Sequence, residues 1–136
     1  MVENMSPVAT YEALKTDRSA RLVDVRTEPE WAFVGLPDLG ETGQPPVLIP
    51  WQVYPTMQVN GGFAEHLRKA GLTPDNTIYF LCRSGVRSVA AAQAAAAAGF
   101  ARVFNIADGF EGPPDENGHR GVVAGWKAEA LPWAQR

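Results

Sequence analysis

Residues 77–99 read TIYFLCRSGVRSVAAAQAAAAAG, and this stretch decides the fold. Branched and aromatic side chains in Thr77–Leu81 predict a buried strand. The alanine-rich segment Val86–Ala98 predicts a helix that ends at Gly99. The connection between them, Cys82–Ser88, is short and polar. A strand that leads directly into a helix is typical of a βαβ unit.

The same alternation extends in both directions from this stretch. Three further strands are predicted, at Arg21–Val25, Val47–Pro50 and Ala101–Ile106. Helices are predicted at Tyr11–Lys15 with Thr10 as its cap, at Glu28–Phe33, at Phe63–Ala70 and at Val122–Ala130. Leu36–Pro46 is expected to be a loop and Trp51–Asn60 to be irregular. The pattern predicts an α/β fold, a single domain with a parallel sheet of four or five strands and helices on both faces.

Composition limits the classes of function that fit this chain. It has 136 residues, of which 46% are hydrophobic and 20% charged, as in one globular domain. The net charge of −3 argues against a general nucleic-acid or anionic-membrane surface. Cys82 is the only cysteine, which excludes an intramolecular disulfide and a multi-cysteine zinc site. The opening residues do not resemble a signal peptide, and no run of about 20 apolar residues occurs, so a cytoplasmic protein is expected.

The cysteine loop carries the chemistry that the sequence predicts. Ligands of parallel sheets sit beyond the carboxyl ends of the strands, where Asp24–Arg26 and Cys82–Ser88 lie. Gly85 permits a positive φ, and the helix that begins near Val86 offers unpaired N–H groups. With Arg83 and Arg87, these groups would favour a Cys82 thiolate. A lone cysteine is more often a small buried hydrophobe, but these neighbours favour a nucleophile that attacks a bound anion.

Three segments together resemble the rhodanese-like family. LVDVR at residues 22–26, followed by EPEW at 28–31, resembles its opening signature, and CRSGVRS at 82–88 resembles its active-site loop. NIADGF at 105–110, with GW at 125–126 and LPW at 131–133, resembles its closing segment. The resemblance covers residues 6–133 and leaves residues 1–5 as a short N-terminal extension.

The resemblance implies a thiosulfate sulfurtransferase of the rhodanese type. Cys82 would take a sulfur from a small anionic donor such as thiosulfate, form a persulfide, and pass the sulfur to cyanide, a thiol or a protein acceptor. Substrate would be bound by the loop residues Arg83, Ser84, Gly85, Val86 and Arg87, with Asp24, Arg26 and Ser88 as supporting residues. No metal, organic cofactor, nucleic-acid partner or membrane partner is implied. A non-catalytic persulfide carrier dedicated to one protein partner is the alternative.

Loop length argues against a third reading, a cysteine-dependent phosphatase or arsenate reductase. Related phosphatases have a C-x5-R loop, whereas here the arginine comes one residue earlier, at Arg87, and Ser88 follows it. The resemblance associates this shorter loop with a single transferred sulfur atom.

Other positions carry weaker expectations. Val34–Asp38 lacks the histidine of the Gly-His-Ile-Pro-Gly stretch common in the family, and Leu39–Gly62 is longer and richer in proline, so the pocket rim is expected to differ. Asp24 and Arg26 would either orient the loop or form a structural salt bridge. Trp51 and Trp126 are candidates for the rim. Phe110–Pro114 would cover the site or form a plain surface loop, and His66 and His119 are expected at the surface, with no metal between them.

Overall fold

A parallel five-stranded sheet forms the centre of the molecule in a computed structural model that describes residues 2–135. Its strands lie in the order β1-β8-β7-β2-β4, and every neighbouring pair is parallel. The predicted α/β sheet of four or five parallel strands is thereby confirmed. The strands are β1 (Glu3–Met5), β2 (Ala20–Asp24), β3 (Leu36–Pro37), β4 (Val47–Leu48), β5 (Gln52–Val53), β6 (Gln58–Val59), β7 (Thr77–Leu81), β8 (Val103–Ile106) and β9 (Trp133–Ala134). The helices are α1 (Pro7–Thr16), α2 (Glu28–Phe33), α3 (Phe63–Lys69) and α4 (Val86–Ala97), with a 3-10 turn at Gly40–Thr42.

Helices cover both faces of this sheet, as the sequence predicts. On one face, α3 and α4 pack over β7 through a core that includes Leu67, Ala92 and Phe80. On the other face, α1 packs through Tyr11 and Leu14. The small alanine side chains of α4 allow that helix to lie close to the sheet, because each adds only one methyl group to the interface.

Helix α1 begins earlier than the sequence predicts. Ser6 caps it, since the Ser6 Oγ accepts a hydrogen bond from the Ala9 N–H at 3.1 Å, and Pro7 occupies the first turn. Thr10 instead lies within the helix and is fully buried. The assignment of Thr10 as the cap is therefore wrong: the earlier serine satisfies an N–H group that has no intrahelical acceptor.

Residues 1–5 were expected to be a short extension, yet part of this segment belongs to the sheet. Glu3–Met5 forms the edge strand β1 and pairs in parallel with β8, with Asn4 opposite Asn105. Val2 and Met5 pack against the two cores. This segment therefore adds the fifth strand.

The predicted helix at Val122–Ala130 is wrong. The segment forms successive turns in which Gly125 and Ala130 have left-handed φ values of +101° and +57°. Trp126 is fully buried, and its Nε1–H donates to the Pro132 carbonyl at 2.8 Å. The tail then ends in β9, which pairs antiparallel with β3. Burial of one tryptophan and a glycine-rich backbone outweigh the weak helical pattern.

The segment Trp51–Asn60, expected to be irregular, contains a small antiparallel hairpin of β5 and β6. The other predicted helices and strands are confirmed with ends that move by one or two residues, and β7 has the predicted bounds. No helix within residues 2–135 is both long and apolar enough to cross a lipid bilayer.

Candidate active site

Cys82 follows β7 at the carboxyl edge of the sheet, where the strand order predicts a ligand site. The residue is only 1% exposed, and its Sγ accepts a hydrogen bond from the Gly85 N–H at 3.0 Å. Gly85 has a left-handed φ of +104° at the N-terminus of α4. The first N–H groups of α4 have no acceptor within the helix. The loop therefore places one backbone donor, the Gly85 N–H, on the sulfur, next to the N-terminus of α4.

Behind the sulfur, a chain of polar side chains runs to the protein surface. Cys82 Sγ lies 3.2 Å from the Oγ of Ser88, which is fully buried. The Ser88 hydroxyl hydrogen-bonds to Asn105 Oδ1. Asn105 Nδ2 donates to Asn4 Oδ1 at 2.8 Å, and Asn4 is exposed on β1. Ser88 was predicted as a supporting residue, whereas Asn105 and Asn4 were not singled out as site residues.

Arg87 is held by a carboxylate of α2. Its two terminal nitrogens donate to the two carboxylate oxygens of Glu30 at 2.7 and 2.9 Å. Burial raises the pKa of Glu30, but the hydrogen bonds and charge of Arg87, together with the bonds from Thr27, outweigh it, so that pKa lies below its ordinary value. The hydrogen bond to Glu30 likewise holds the pKa of Arg87 above its usual range. One of the two arginines assigned to the sulfur donor, Arg87, is thus already paired.

An open cleft of about 440 Å³ lies over the loop, and its charge is mixed. Arg83 is exposed at this cleft. The lining comprises three arginines, two glutamates and three uncharged residues, which are Arg83, Arg87, Arg120, Glu30, Glu111, Val34, Gln52 and Met57. Gln52 and Met57 come from the hairpin of β5 and β6, so the long segment after residue 39 does shape the rim.

Asp24 and Arg26 form a structural ion pair. Both side chains are fully buried, and Arg26 Nη2 lies 2.7 Å from Asp24 Oδ2. The same Arg26 nitrogen donates to the Gly35 carbonyl at 2.8 Å, and the guanidinium stacks 4.3 Å from the Phe110 ring centroid. Asp24 has Arg26 as its partner and no loop arginine. The pair thus packs against Phe110, whose N–H donates to the Cys82 carbonyl.

The segment at residues 110–112 holds the loop from outside. The Phe110 N–H donates to the Cys82 carbonyl at 2.8 Å, and the N–H groups of Glu111 and Gly112 donate to the Arg83 carbonyl at 2.9 and 3.1 Å. Gly109 precedes them, with a φ of +65°. A Cβ at Gly109 would lie 2.5 Å from the Cys82 carbonyl oxygen. This segment contacts the loop directly and is more than a surface loop.

The two tryptophans expected at the rim lie elsewhere, and His66 is exposed at the surface, as expected. Trp51 packs edge-on against Phe63 in the core, and Trp126 packs against Tyr11, so neither lines the cleft. The His66 ring lies against Asn60, whose Nδ2 is 3.0 Å from the His66 Nδ1. Within residues 2–135, no three His, Cys, Asp or Glu side chains come together in a way that could hold a metal ion. A larger groove of about 620 Å³ runs along residues 36–40 and 43–46. None of the residues of the cysteine loop, 82–88, lines it.

Comparison with known proteins assigns the chain to a family. The family model of the STR4 middle domain matches residues 3–136. The chain belongs to this family. Rv0390 from M. tuberculosis, known from a crystal structure, is 41% identical, with a TM-score of 0.89 and coverage of 99% of this chain and 98% of that chain. A curated relative in Rickettsia prowazekii, the uncharacterized protein RP600, is 36% identical over 98% of each chain.

A third relative connects the STR4 middle-domain family to the rhodanese-like proteins. Rhodanese-like domain-containing protein 4 of Arabidopsis thaliana chloroplasts is 29% identical over 92% of this chain, which spans 24% of that longer protein. The rhodanese-like resemblance is confirmed at the level of the family and the fold.

The fold brings partners to the Cys82–Ser88 loop that were not among the predicted site residues. Glu30 stands in the quoted opening motif and Asn105 in the closing one. Asn105 also interrupts an otherwise apolar strand, which is a signal that a buried polar group has a partner. The contacts of Glu111 and Arg120 with the cleft depend on the turns of the tail, and no local pattern indicates them.

Proposed function

We propose that this rhodanese-like domain transfers sulfur through a persulfide on Cys82. The Cys82 thiolate attacks the outer sulfur of thiosulfate, the sulfur–sulfur bond breaks, and sulfite leaves with the bonding electron pair. The outer sulfur remains on Cys82 as a persulfide anion. Cyanide or a thiolate then attacks that sulfur, and the Cys82 thiolate leaves.

One observation carries this proposal: the Gly85 N–H donates to Cys82 Sγ at the start of α4. Donors that already point at the sulfur need not reorganise when negative charge develops there, which is the condition for electrostatic catalysis. We expect the outer sulfur of the persulfide to lie among the further backbone N–H groups of the loop between Cys82 and Arg87.

The charges of the cleft support an anionic donor. Arg83 is exposed at the cleft, and we assign it the first contact with thiosulfate. Arg87 is paired with Glu30, so its positive charge is neutralised by that carboxylate. We assign Arg87 the role of holding the shape of the loop. Arg120 adds a second cation, whose Nη1–H is directed to the Gly112 carbonyl at 2.6 Å.

Intact-mass measurement after thiosulfate treatment without reductant tests the proposal. The parent chain is expected to gain the mass of one sulfur atom, which cyanide then removes. Cys82→Ser is the matched control, because serine differs by one atom and removes the only thiol. We expect no mass gain and less than about 1% of the transfer rate in that variant. A parent chain that gains no sulfur mass, or sulfur transfer retained in Cys82→Ser, would refute the mechanism.

Steady-state rates distinguish the proposed sulfurtransferase from a persulfide carrier and from a phosphatase. A persulfide carrier would gain the sulfur but turn over slowly with cyanide, whereas a sulfurtransferase turns over. The parent is expected to turn over thiosulfate and cyanide and to leave aryl phosphates intact, since the loop has one residue fewer than C-x5-R. Hydrolysis of aryl phosphate without thiosulfate activity would replace the proposal with a phosphatase.

A further inference from the structure

The polar chain behind Cys82 is built from groups that can each reverse the direction of their hydrogen bonds. A hydroxyl donates one hydrogen bond and accepts others, and a side-chain amide offers an acceptor on one side and a donor on the other. Ser88 and Asn105 are almost entirely buried, at 0% and 4% exposure, so their polar atoms depend on one another. Asn105 and Asn4 are register partners across β8 and β1, which keeps their amides in contact.

The observed arrangement fits an uncharged sulfur. Asn105 Nδ2 donates to Asn4 Oδ1, and Asn105 Oδ1 accepts the hydroxyl hydrogen of Ser88. The single hydrogen of Ser88 is then occupied, so the Ser88 oxygen can only accept from the Cys82 thiol, 3.2 Å away. Every group in the chain has a partner in this direction.

The reverse arrangement fits a sulfur anion. If both amides turn over, Asn4 Nδ2 donates to Asn105 Oδ1, and Asn105 Nδ2 donates to the Ser88 oxygen. The Ser88 hydroxyl then donates to the sulfur. The amides exchange only oxygen and nitrogen positions, and the exposed Asn4 completes its remaining bonds with water. No proton travels along the chain, since the thiol proton goes to solvent.

We propose that Ser88, Asn105 and Asn4 form a reversible hydrogen-bond chain that reorients to stabilise the anionic form of Cys82. Asn105 and Asn4 are thus positioning residues that act through Ser88. The idea rests on the proposed function only in taking the sulfur anion as the reactive form. An aspartate in place of either asparagine would hold the chain in the direction that suits the thiol, because a carboxylate only accepts.

Asn4→Asp is the decisive variant because Asn4 is exposed and its replacement leaves the core intact. The readout is the pH midpoint of Cys82 alkylation by iodoacetamide, which needs no sulfur donor and reports on one thiol only. We expect this midpoint to rise by about one pH unit, which is the loss of one hydrogen bond to a charged sulfur. Asn105→Asp is expected to act in the same direction, and Asn4→Ala less strongly.

The added negative charge needs its own control, which is Asn4→Asp in a Ser88→Ala background. Without the hydroxyl nothing connects Asn4 to the sulfur, so the shift caused by Asn4→Asp is expected to fall below about 0.3 pH units, a few tenths of a kcal/mol. The surrounding charges are the same in both backgrounds: Arg83, Arg87, Arg120, Glu30 and Glu111 line the cleft, and Asp24 pairs with Arg26 beneath it. An equal shift in both backgrounds, or no shift in the parent background, overturns the proposal. If the alkylation midpoints shift as expected but the parent forms no persulfide with thiosulfate, only the proposed function is contradicted.

Discussion

Arg83 and Arg87 belong to the same loop but have different environments. Their substitutions are therefore expected to have different kinetic effects. Arg83 is exposed at the cleft, whereas Arg87 is paired with Glu30. In Arg83→Gln, the KM for thiosulfate is expected to rise about tenfold or more, which corresponds to one lost charge-assisted hydrogen bond. The rate with a saturating donor should change little. Steady-state kinetics at varied thiosulfate concentration measure both quantities.

Arg87→Gln is the matched comparison and should behave differently. It leaves the half-buried Glu30 without its cation, so the variant should lose stability as well as donor affinity. If the KM for thiosulfate stayed unchanged in both variants, neither arginine could be assigned to the donor.

Gly109 is a second position at which a single substitution is expected to change the rate of sulfur transfer. A Cβ there would lie 2.5 Å from the Cys82 carbonyl oxygen and 2.6 Å from the Arg83 carbonyl carbon, at a φ of +65°. Gly109→Ala is therefore expected to reduce sulfur transfer at least about 10²-fold, because a shift of about 1 Å in a reacting group can have that effect. Gly99→Ala is the control: Gly99 has a φ of +106° and open space around its Cβ position. That variant should lose about 1–2 kcal/mol of stability and keep its activity. Equal activity in the two variants would show that the contact with the loop is unimportant.

Between elements, the ion pair of Glu30 and Arg87 connects α2 to α4. Since the pKa of Glu30 is lower in the folded chain than its ordinary value of 4.5, the carboxylate stabilises the fold fully above that value. The stabilisation is lost as the pH falls through the lower, folded-state pKa. Glu30→Gln should be about 1–3 kcal/mol less stable than the parent at pH 7. Denaturant unfolding between pH 7 and pH 3 is expected to show the difference between the two proteins shrinking in acid. A constant difference across this range would mean that the charge of Glu30 contributes nothing.

At the same scale, the strand–loop–helix unit at residues 77–99 was predictable almost to the residue. Its signals are local: β-branched and aromatic residues in β7, Gly85 before α4, and Gly99 after it. The pairing of Arg87 with Glu30 was not predictable, because the two residues are 57 positions apart. No local sequence pattern indicates which carboxylate pairs with which arginine. The false helix at Val122–Ala130 shows the opposite case, in which tertiary burial of Trp126 overrode a local pattern.

At the scale of the whole molecule, β1 lies at the edge of the sheet and pairs only with β8, a strand from near the end of the chain. Glu3–Met5 has the polar sequence ENM, so only its pairing with β8 defines it as a strand. This is why the sequence suggested an extension outside the domain. Deletion of residues 1–5 is expected to lower the Tm by about 5 °C or more, since it removes a strand and the contacts of Val2 and Met5.

Glu3→Ala provides the control for this deletion. It keeps the backbone bonds of β1 and removes one exposed side chain, so its Tm should lie within about 2 °C of the parent. Thermal unfolding followed by circular dichroism compares the three proteins. If the deletion variant unfolded at the parental temperature, residues 1–5 would be dispensable for stability.

The hydrogen bonds from residues 110–112 to the carbonyls of Cys82 and Arg83 also bear on how the protein is made. A ribosome synthesises Cys82 before it synthesises these residues. Until they leave the exit tunnel, β7 and the start of α4 can exist without the amides that hold the loop in shape. Cys82 therefore acquires its final surroundings late in biosynthesis, and a nascent chain that stops before residue 109 carries the cysteine without the complete candidate site.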